Sequence, residues 1–348
     1  MLLVETPSGI LADRWSRKGV LILASIALAI SSLITGFSQT QVIYLISSLL
    51  WGAFFALYSG VYDSMVYDTI YEETGNSTLF EKLYGRVGIA DSSALVLGSL
   101  IGGLAASQFG LRSAYFLTIP SAIISIVALI VFKEPQLHKS EVAAPIIKHV
   151  QSTFKAILNN RKIAIVMIVL ILLSVITYML FEFSQLWLLA LAVPTVLYGP
   201  SNAALLASIG IGGVAAGYFK IYRYPIMIFV LVLMLAGGIG LVLFRTTSLI
   251  VASQVVLSTS AIGISVVFKN RMLHDSLPSS VRAGSASAVS TITRIFIIPL
   301  ALLFGFISYK LDIFNASWIL FILVVFVAIF ILIEANKNNR TGLNPEQI

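Results

Sequence analysis

Cysteine is absent from the 348-residue chain, and His occurs only three times, at the scattered positions His138, His149 and His274. Without Cys there is no disulfide framework, no thiol nucleophile and no cysteine metal site. Charge is scarce as well: 11% of residues are charged, against about 25% in a soluble domain. Acids are the scarcer sign, with 15 Asp and Glu against 22 Lys and Arg, a net charge of +7. Missing too are the phosphate loop Gly-x-x-x-x-Gly-Lys-[Ser/Thr], the zinc motif His-Glu-x-x-His and the Gly-x-Ser-x-Gly elbow, which sets aside ATP-driven chemistry and two common hydrolase classes. No nucleophile–base pair stands at helical spacing among charges spread over many segments. The chain therefore reads as a non-enzyme, and no cofactor or metal is implied.

What is present is apolar. Hydrophobic residues make up 58% of the chain and the mean hydropathy is +0.99. Apolar segments of about 20 residues, long enough to cross a bilayer as helices, fall at 19–37, 42–66, 87–106, 113–132, 163–190, 197–219, 225–244, 249–267, 286–308 and 314–333. Ahead of these ten spans, residues 1–12 would cover about 18 Å as a helix, short of a hydrocarbon core of about 30 Å. That stub is also too short and too closely followed by charge to be a signal peptide.

Lys and Arg set the expected orientation. One set of alternate connections holds Arg14, Arg17, Lys18, Lys82, Arg86, Lys133, Lys139, Lys148, Lys155, Arg161, Lys162, Lys220, Arg223, Lys269, Arg271, Arg282, Lys337 and Arg340, while the other holds Arg112, Arg245 and Lys310. The positive-inside rule puts the first set, and with it the C-terminal tail, in the cytoplasm. The same asymmetry accounts for the net positive charge without a nucleic-acid partner.

The longest polar connection divides the chain into an N-terminal bundle (1–132), a cytoplasmic linker (133–162), a C-terminal bundle (163–334) and a tail (335–348). Within the linker, Ile146, Ile147, Val150, Phe154, Ile157 and Leu158 recur at helical spacing with Lys148 and Lys155 between them. This is an amphipathic helix, suited either to an anionic inner leaflet or to packing on the protein's own loops.

The stretch Glu5-Thr6-Pro7-Ser8-Gly9-Ile10-Leu11-Ala12-Asp13-Arg14-Trp15-Ser16-Arg17-Lys18 joins the stub to the first full span. Asp13 at a helix C-terminus faces the negative end of the helix dipole and needs an outside partner. Gly9 and Ala12 permit close approach of another helix, and Arg14, Arg17 and Lys18 place cations at the membrane edge. Gly-x-Leu-Ala-Asp-Arg-x-x-Arg-Lys resembles the signature between the second and third helices of major facilitator superfamily transporters, and Glu5-x-Pro7-Ser8-Gly9 is similar to the entry common in their drug-efflux-like bacterial branches. Residues 208–220, with Gly210, Gly212, Gly213 and Gly217, stand where a repeat of the signature would fall, but carry no Asp matching Asp13.

The resemblance implies an all-α, polytopic fold of two six-helix bundles, of which this sequence would hold about eleven helices, the first missing and the second partial. It implies docking of Asp13 at the hydroxyl-rich helix start 279–285, around Arg282, whose free N–H groups favour an anion. It also implies that Asp68 pairs with Arg14 or Arg17, the alternative being a solvated loop acid beside Glu72 and Glu73.

Charges within spans are costly, roughly 2.5–3.5 kcal/mol each on insertion scales, and so point to function. Arg294 falls near the middle of its span, suited to substrate or coupling-ion binding or to a structural ion pair. Glu182, beside Tyr178, Phe181, Phe183 and Trp187, is expected to have a raised pKa and to carry a proton, or else to snorkel or gate. Asp63 and Asp91 lie nearer the cytoplasmic ends of their spans, where gating, pairing with Arg86 and proton relay are all open. Tyr58 and Tyr62 are candidate cavity-lining residues, and Tyr67 an interface anchor.

The resulting expectation is a secondary transporter of a small molecule, working by alternating access in the bacterial inner membrane, proton-coupled and by resemblance an exporter and a monomer. A proton-coupled importer of a sugar or metabolite, and a truncated non-transporting remnant, stand as alternatives.

Overall fold

The computed structural model describes residues 15–74, 77–135, 161–218, 224–268 and 279–340. The linker helix expected at 145–158 lies outside them. All ten apolar segments are helices: α1 (Arg17–Phe37), α2 (Gln41–Thr74), α3 (Ser77–Phe109), α4 (Ser113–Val131), α5 (Arg161–Ala190), α6 (Tyr198–Tyr218), α7 (Tyr224–Leu243), α8 (Thr247–Val267), α9 (Ser279–Lys310) and α10 (Ile313–Arg340). Nine are long and apolar enough to cross a membrane. The other, α6, holds five glycines, Pro200, Ser201 and Asn202, which dilute its hydropathy.

Several helices run past the apolar runs that announce them. With 34 residues, α2 is about 51 Å long at 1.5 Å per residue, well beyond a hydrocarbon core of about 30 Å. Residues 67–74 are thus helix rather than loop, which corrects the reading of Asp68 as a loop acid. Charge ends a membrane span without ending a helix, because backbone hydrogen bonds persist in water.

The chain divides into two units, Met1–Val142 and Ala143–Ile348. In the first, α1 packs between α2 and α4, and α3 bridges α2 and α4. Val20, Leu21, Val61 and Met65 form its small core, with Leu57, Leu129 and Phe132 against it. Hydroxyls join the helices where lipid offers no hydrophobic drive: Ser31 donates to the Ser47 carbonyl at 2.8 Å, Thr35 and Ser47 meet at 2.7 Å, and Ser25 and Ser125 at 3.2 Å.

In the second unit α5 is central, touching α6, α8, α9 and α10. Its sequence is predominantly apolar, and about half of its span is buried among its neighbours. Leu173, Ile176, Met179 and Trp187 of α5 pack with Met234, Leu257, Phe304 and Leu320. Trp187 Nε1 donates to Ser317 Oγ at 3.1 Å, and Gln254 Nε2 to the Ser184 carbonyl at 3.0 Å. Helices α7 and α8 meet at glycine: a Cβ on Gly237 would stand 2.8 Å from the Leu257 nitrogen, and one on Gly240 2.2 Å from Ser253 Oγ.

Candidate functional site

Two groups of candidate side chains are assembled in the first unit. The first is built where α1 begins. Ser16 is the N-cap, its Oγ accepting the Gly19 N–H at 2.9 Å, which satisfies one of the donors a helix start leaves open. Glu134, just past the end of α4, supplies an anion to the same place. Its Oε1 accepts the Arg17 N–H at 2.7 Å and the Lys18 N–H at 3.5 Å, and its Oε2 accepts from Ser16 Oγ at 2.7 Å. The positive dipole end of α1 stabilises that carboxylate. In return Lys18 Nζ donates to the carbonyls of Ile130 at 2.7 Å and Phe132 at 2.9 Å, closing the C-terminus of α4. The start of α1 and the end of α4 cap one another.

From the same turn of α1 the Arg17 guanidinium donates to Asp68 of α2. Asp68 is 5% exposed and Arg17 19%, so the acid has exchanged nearly all its water for a charge-assisted bond. Of the two arginines considered as its partner, Arg17 makes the pair, and Arg14 lies outside the described residues together with Gly9 and Asp13. Sequence reasoning missed Glu134. Its only local signal is Lys133-Glu134-Pro135 directly after an apolar span.

The second group joins α2 and α3. Tyr62 Oη donates to both carboxylate oxygens of Asp91, each at 3.1 Å. Tyr62 stacks on Tyr58 (centroids 4.8 Å apart, planes 20° apart), and Tyr58 on Phe54 (5.5 Å, 30°). The spacing of four residues puts these rings on one stripe of α2. Asp91 is exposed, and it takes its hydrogen bond from Tyr62 rather than from Arg86. Asp63 lies on α2, and Tyr67 is exposed and stacks on Tyr71.

In the second unit the selected residues lie on two helices, α5 and α9. Arg294 is half-buried halfway along α9, and Arg282 lies in the first turn of that helix. Glu182 and Tyr178 are both exposed on α5. The expected aromatic enclosure of Glu182 is not formed. Phe183 stacks on Phe304 at 4.6 Å and Trp187 is buried beside Ser317. Neighbours in sequence point in different directions around a helix of 3.6 residues per turn, so adjacency along the chain did not become contact. A crevice of about 530 Å³, walled by Ile211 and Ala215 of α6 and Phe229 and Leu233 of α7 over Gly263 of α8, contains none of the residues selected from sequence.

Among the described residues no group of His, Cys, Asp and Glu could hold a metal ion. What the arrangement offers is conformational and electrostatic: mutually capped helix ends, a buried ion pair, and an exposed carboxylate next to stacked rings.

The sequence profile of the Major Facilitator Superfamily matches residues 1–295. The structure is similar to the crystal structure of the nucleoside transporter NupG, with a TM-score of 0.78 at 15% identity over 94% of this chain and 86% of that one. It is also similar to a bacterial homolog of the human lysosomal transporter Spinster, inward-facing and unoccupied, with a TM-score of 0.73 at 13% identity over 99% of this chain and 88% of that one. At such identities the likeness is one of fold. No individually curated protein matches the sequence. With the family profile covering most of the chain and the polytopic helical fold agreeing, this protein belongs to the Major Facilitator Superfamily of membrane transporters.

Proposed function

We propose that the protein is a proton-coupled secondary transporter that exports a small molecule by alternating access. The observation that carries the proposal is Asp91. It is an exposed carboxylate six residues into a span of α3, and a charge there is tolerated where its face meets a water-filled path rather than lipid. Hydrogen bonding from Tyr62 to both its oxygens fixes the carboxylate against α2. Arg294, halfway along α9, and Glu182, on α5, are the further coupling or substrate groups. Asp13 docking near Arg282 is the proposed latch, with Arg17 and Asp68 supporting it from within the first bundle. The Lys and Arg count supports an inner-membrane protein with a cytoplasmic C-terminus. The family's usual form supports a monomer.

The test is proteoliposomes loaded with a pH-sensitive dye and given a pH gradient, with a panel of organic cations, sugars and nucleosides. An exporter accumulates its substrate against the proton movement, and abolishing the gradient stops it. A second reading, proton-coupled import, takes support from the fold shared with a nucleoside transporter; it requires substrate and protons to move the same way. Substrate movement indifferent to the gradient would overturn both forms of coupling.

A further inference from the structure

We propose that the crevice between α6 and α7 is a binding site for one acyl chain of an anionic phospholipid, drawn from the leaflet on the side of the α6–α7 connection. The site shares no residue with the transport proposal and does not depend on it.

Helices α6 and α7 both pack on α8. The approach is close at two glycines: a Cβ on Gly212 would stand 2.8 Å from the Thr259 carbonyl oxygen, and one on Gly237 2.8 Å from the Leu257 nitrogen. Between Leu233, one turn before Gly237, and Pro225 at the start of α7, the helices leave a crevice of about 530 Å³, within the range of about 300–1,000 Å³ for ligand sites. Small side chains of α8, at Ser260 and Gly263, form its floor, while Ile211 and Phe229 stand at its rims. Those two are 54% and 62% exposed, so the crevice opens sideways between the helices.

Apart from two hydroxyls its lining is hydrocarbon. A water needs about 2–4 polar partners to stay in such a space, and a sugar or an ion would lose hydration that nothing there replaces. An acyl chain loses no hydration and gains the dispersion contacts that an empty crevice forfeits. The depth agrees as well. From Pro225 to Leu233 the wall is about 12 Å long at 1.5 Å per residue, close to half of a hydrocarbon core of about 30 Å. Lining residues lie in the first half of α7 and in the second halves of α6 and α8. The crevice therefore meets chains of one leaflet only, the one beside the α6–α7 connection.

The same end of the helices supplies charge. Between Glu182 and Asp275 the sequence holds no acid, and residues 219–223, which join α6 to α7, include Lys220 and Arg223. A basic connection next to an apolar crevice suits a negative headgroup above its acyl chain. Under the proposed orientation this is the cytoplasmic leaflet, whose surface is negative.

The test uses the purified full chain, stripped of lipid in a mild detergent and titrated with phosphatidylglycerol, phosphatidylcholine or diacylglycerol of identical chains. Bound lipid is counted by native mass spectrometry. We expect one phosphatidylglycerol to be held about tenfold more tightly than either of the others. Ala215→Phe, which fills the crevice, should weaken that binding about tenfold. Val214→Phe, at an exposed position outside the lining, should leave it unchanged. Lys220→Gln combined with Arg223→Gln should bring phosphatidylglycerol down to the level of phosphatidylcholine. Absence of a discretely bound lipid, or full binding in Ala215→Phe, overturns the site. Equal affinity for the three lipids overturns it too, because any apolar chain would then suffice. If Ala215→Phe does not fold, Ile211→Trp at the rim decides in its place: a loss of about tenfold supports the site, and full binding overturns it. None of these readouts involves transport, so the presence or absence of proton coupling leaves them as they are.

Discussion

The carboxylate of Glu134 accepts the main-chain N–H of Arg17 at 2.7 Å, across 117 residues of sequence. One side chain thereby satisfies the start of α1 and fixes it to the end of α4. Replacing Glu134 with Ala should cost about 1–2 kcal/mol, the upper part of the range for losing a helix cap, and lower the unfolding temperature of the detergent-solubilised protein. Glu134→Gln, which keeps the acceptor but not the charge, should recover part of the loss. Identical melting of wild type and Glu134→Ala would show the contact to be idle.

The Arg17–Asp68 pair should show the asymmetry of buried ion pairs. Arg17→Ala takes the Arg17 cation from the nearly buried Asp68 carboxylate, at a cost of roughly 3 kcal/mol. The double variant Arg17→Ala, Asp68→Leu removes both charges and should melt higher than Arg17→Ala alone. If the double variant is the less stable one, Asp68 is not held by Arg17 in the way the geometry indicates.

Glycines in this chain should separate into two kinds. Gly240→Ala forces a Cβ to within 2.2 Å of Ser253 Oγ, and overpacking of this sort costs about 1–3 kcal/mol. Gly98→Ala, with nothing within 4 Å of the new Cβ, should be neutral or slightly stabilising through helix propensity. Thermal unfolding of the two variants side by side checks the contrast.

Because the natural sequence has no Cys, single cysteines report topology without background. Lys310→Cys should react with a membrane-impermeant maleimide on intact cells. Under the proposed orientation Glu72→Cys, on the exposed extension of α2 past its apolar run, should react only after permeabilisation. The opposite pattern would invert the proposed orientation.

Arg294 should matter for transport more than for folding. Arg294→Gln is expected to lower transport by about tenfold or more, as removal of a charge placed within a membrane span does, while the solubilised protein still melts cooperatively. Full transport by Arg294→Gln would assign the residue a structural part only.

Ten helices were legible because each apolar run is long enough to span a bilayer as a helix, which satisfies its own backbone in lipid. Arg17 and Asp68 were legible as partners through the signature that contains one of them. The helix ends were not: α2 continues through Asp68 to Thr74 because polar residues hold a helix in water as well as apolar ones do in lipid.

Sequence by itself determined the membrane-spanning class, the ten apolar helices among the described residues and the membership in a transporter family, since these follow from composition, length and one linear motif. Tertiary structure alone decided which acid meets which donor. Glu134 reaches α1 because α1 packs against α4, Asp91 faces Tyr62 because α3 lies beside α2, and Glu182 stays exposed because its aromatic neighbours turn to Phe304 and Ser317. Those outcomes depend on helix rotation and packing, and hydropathy along a chain carries neither.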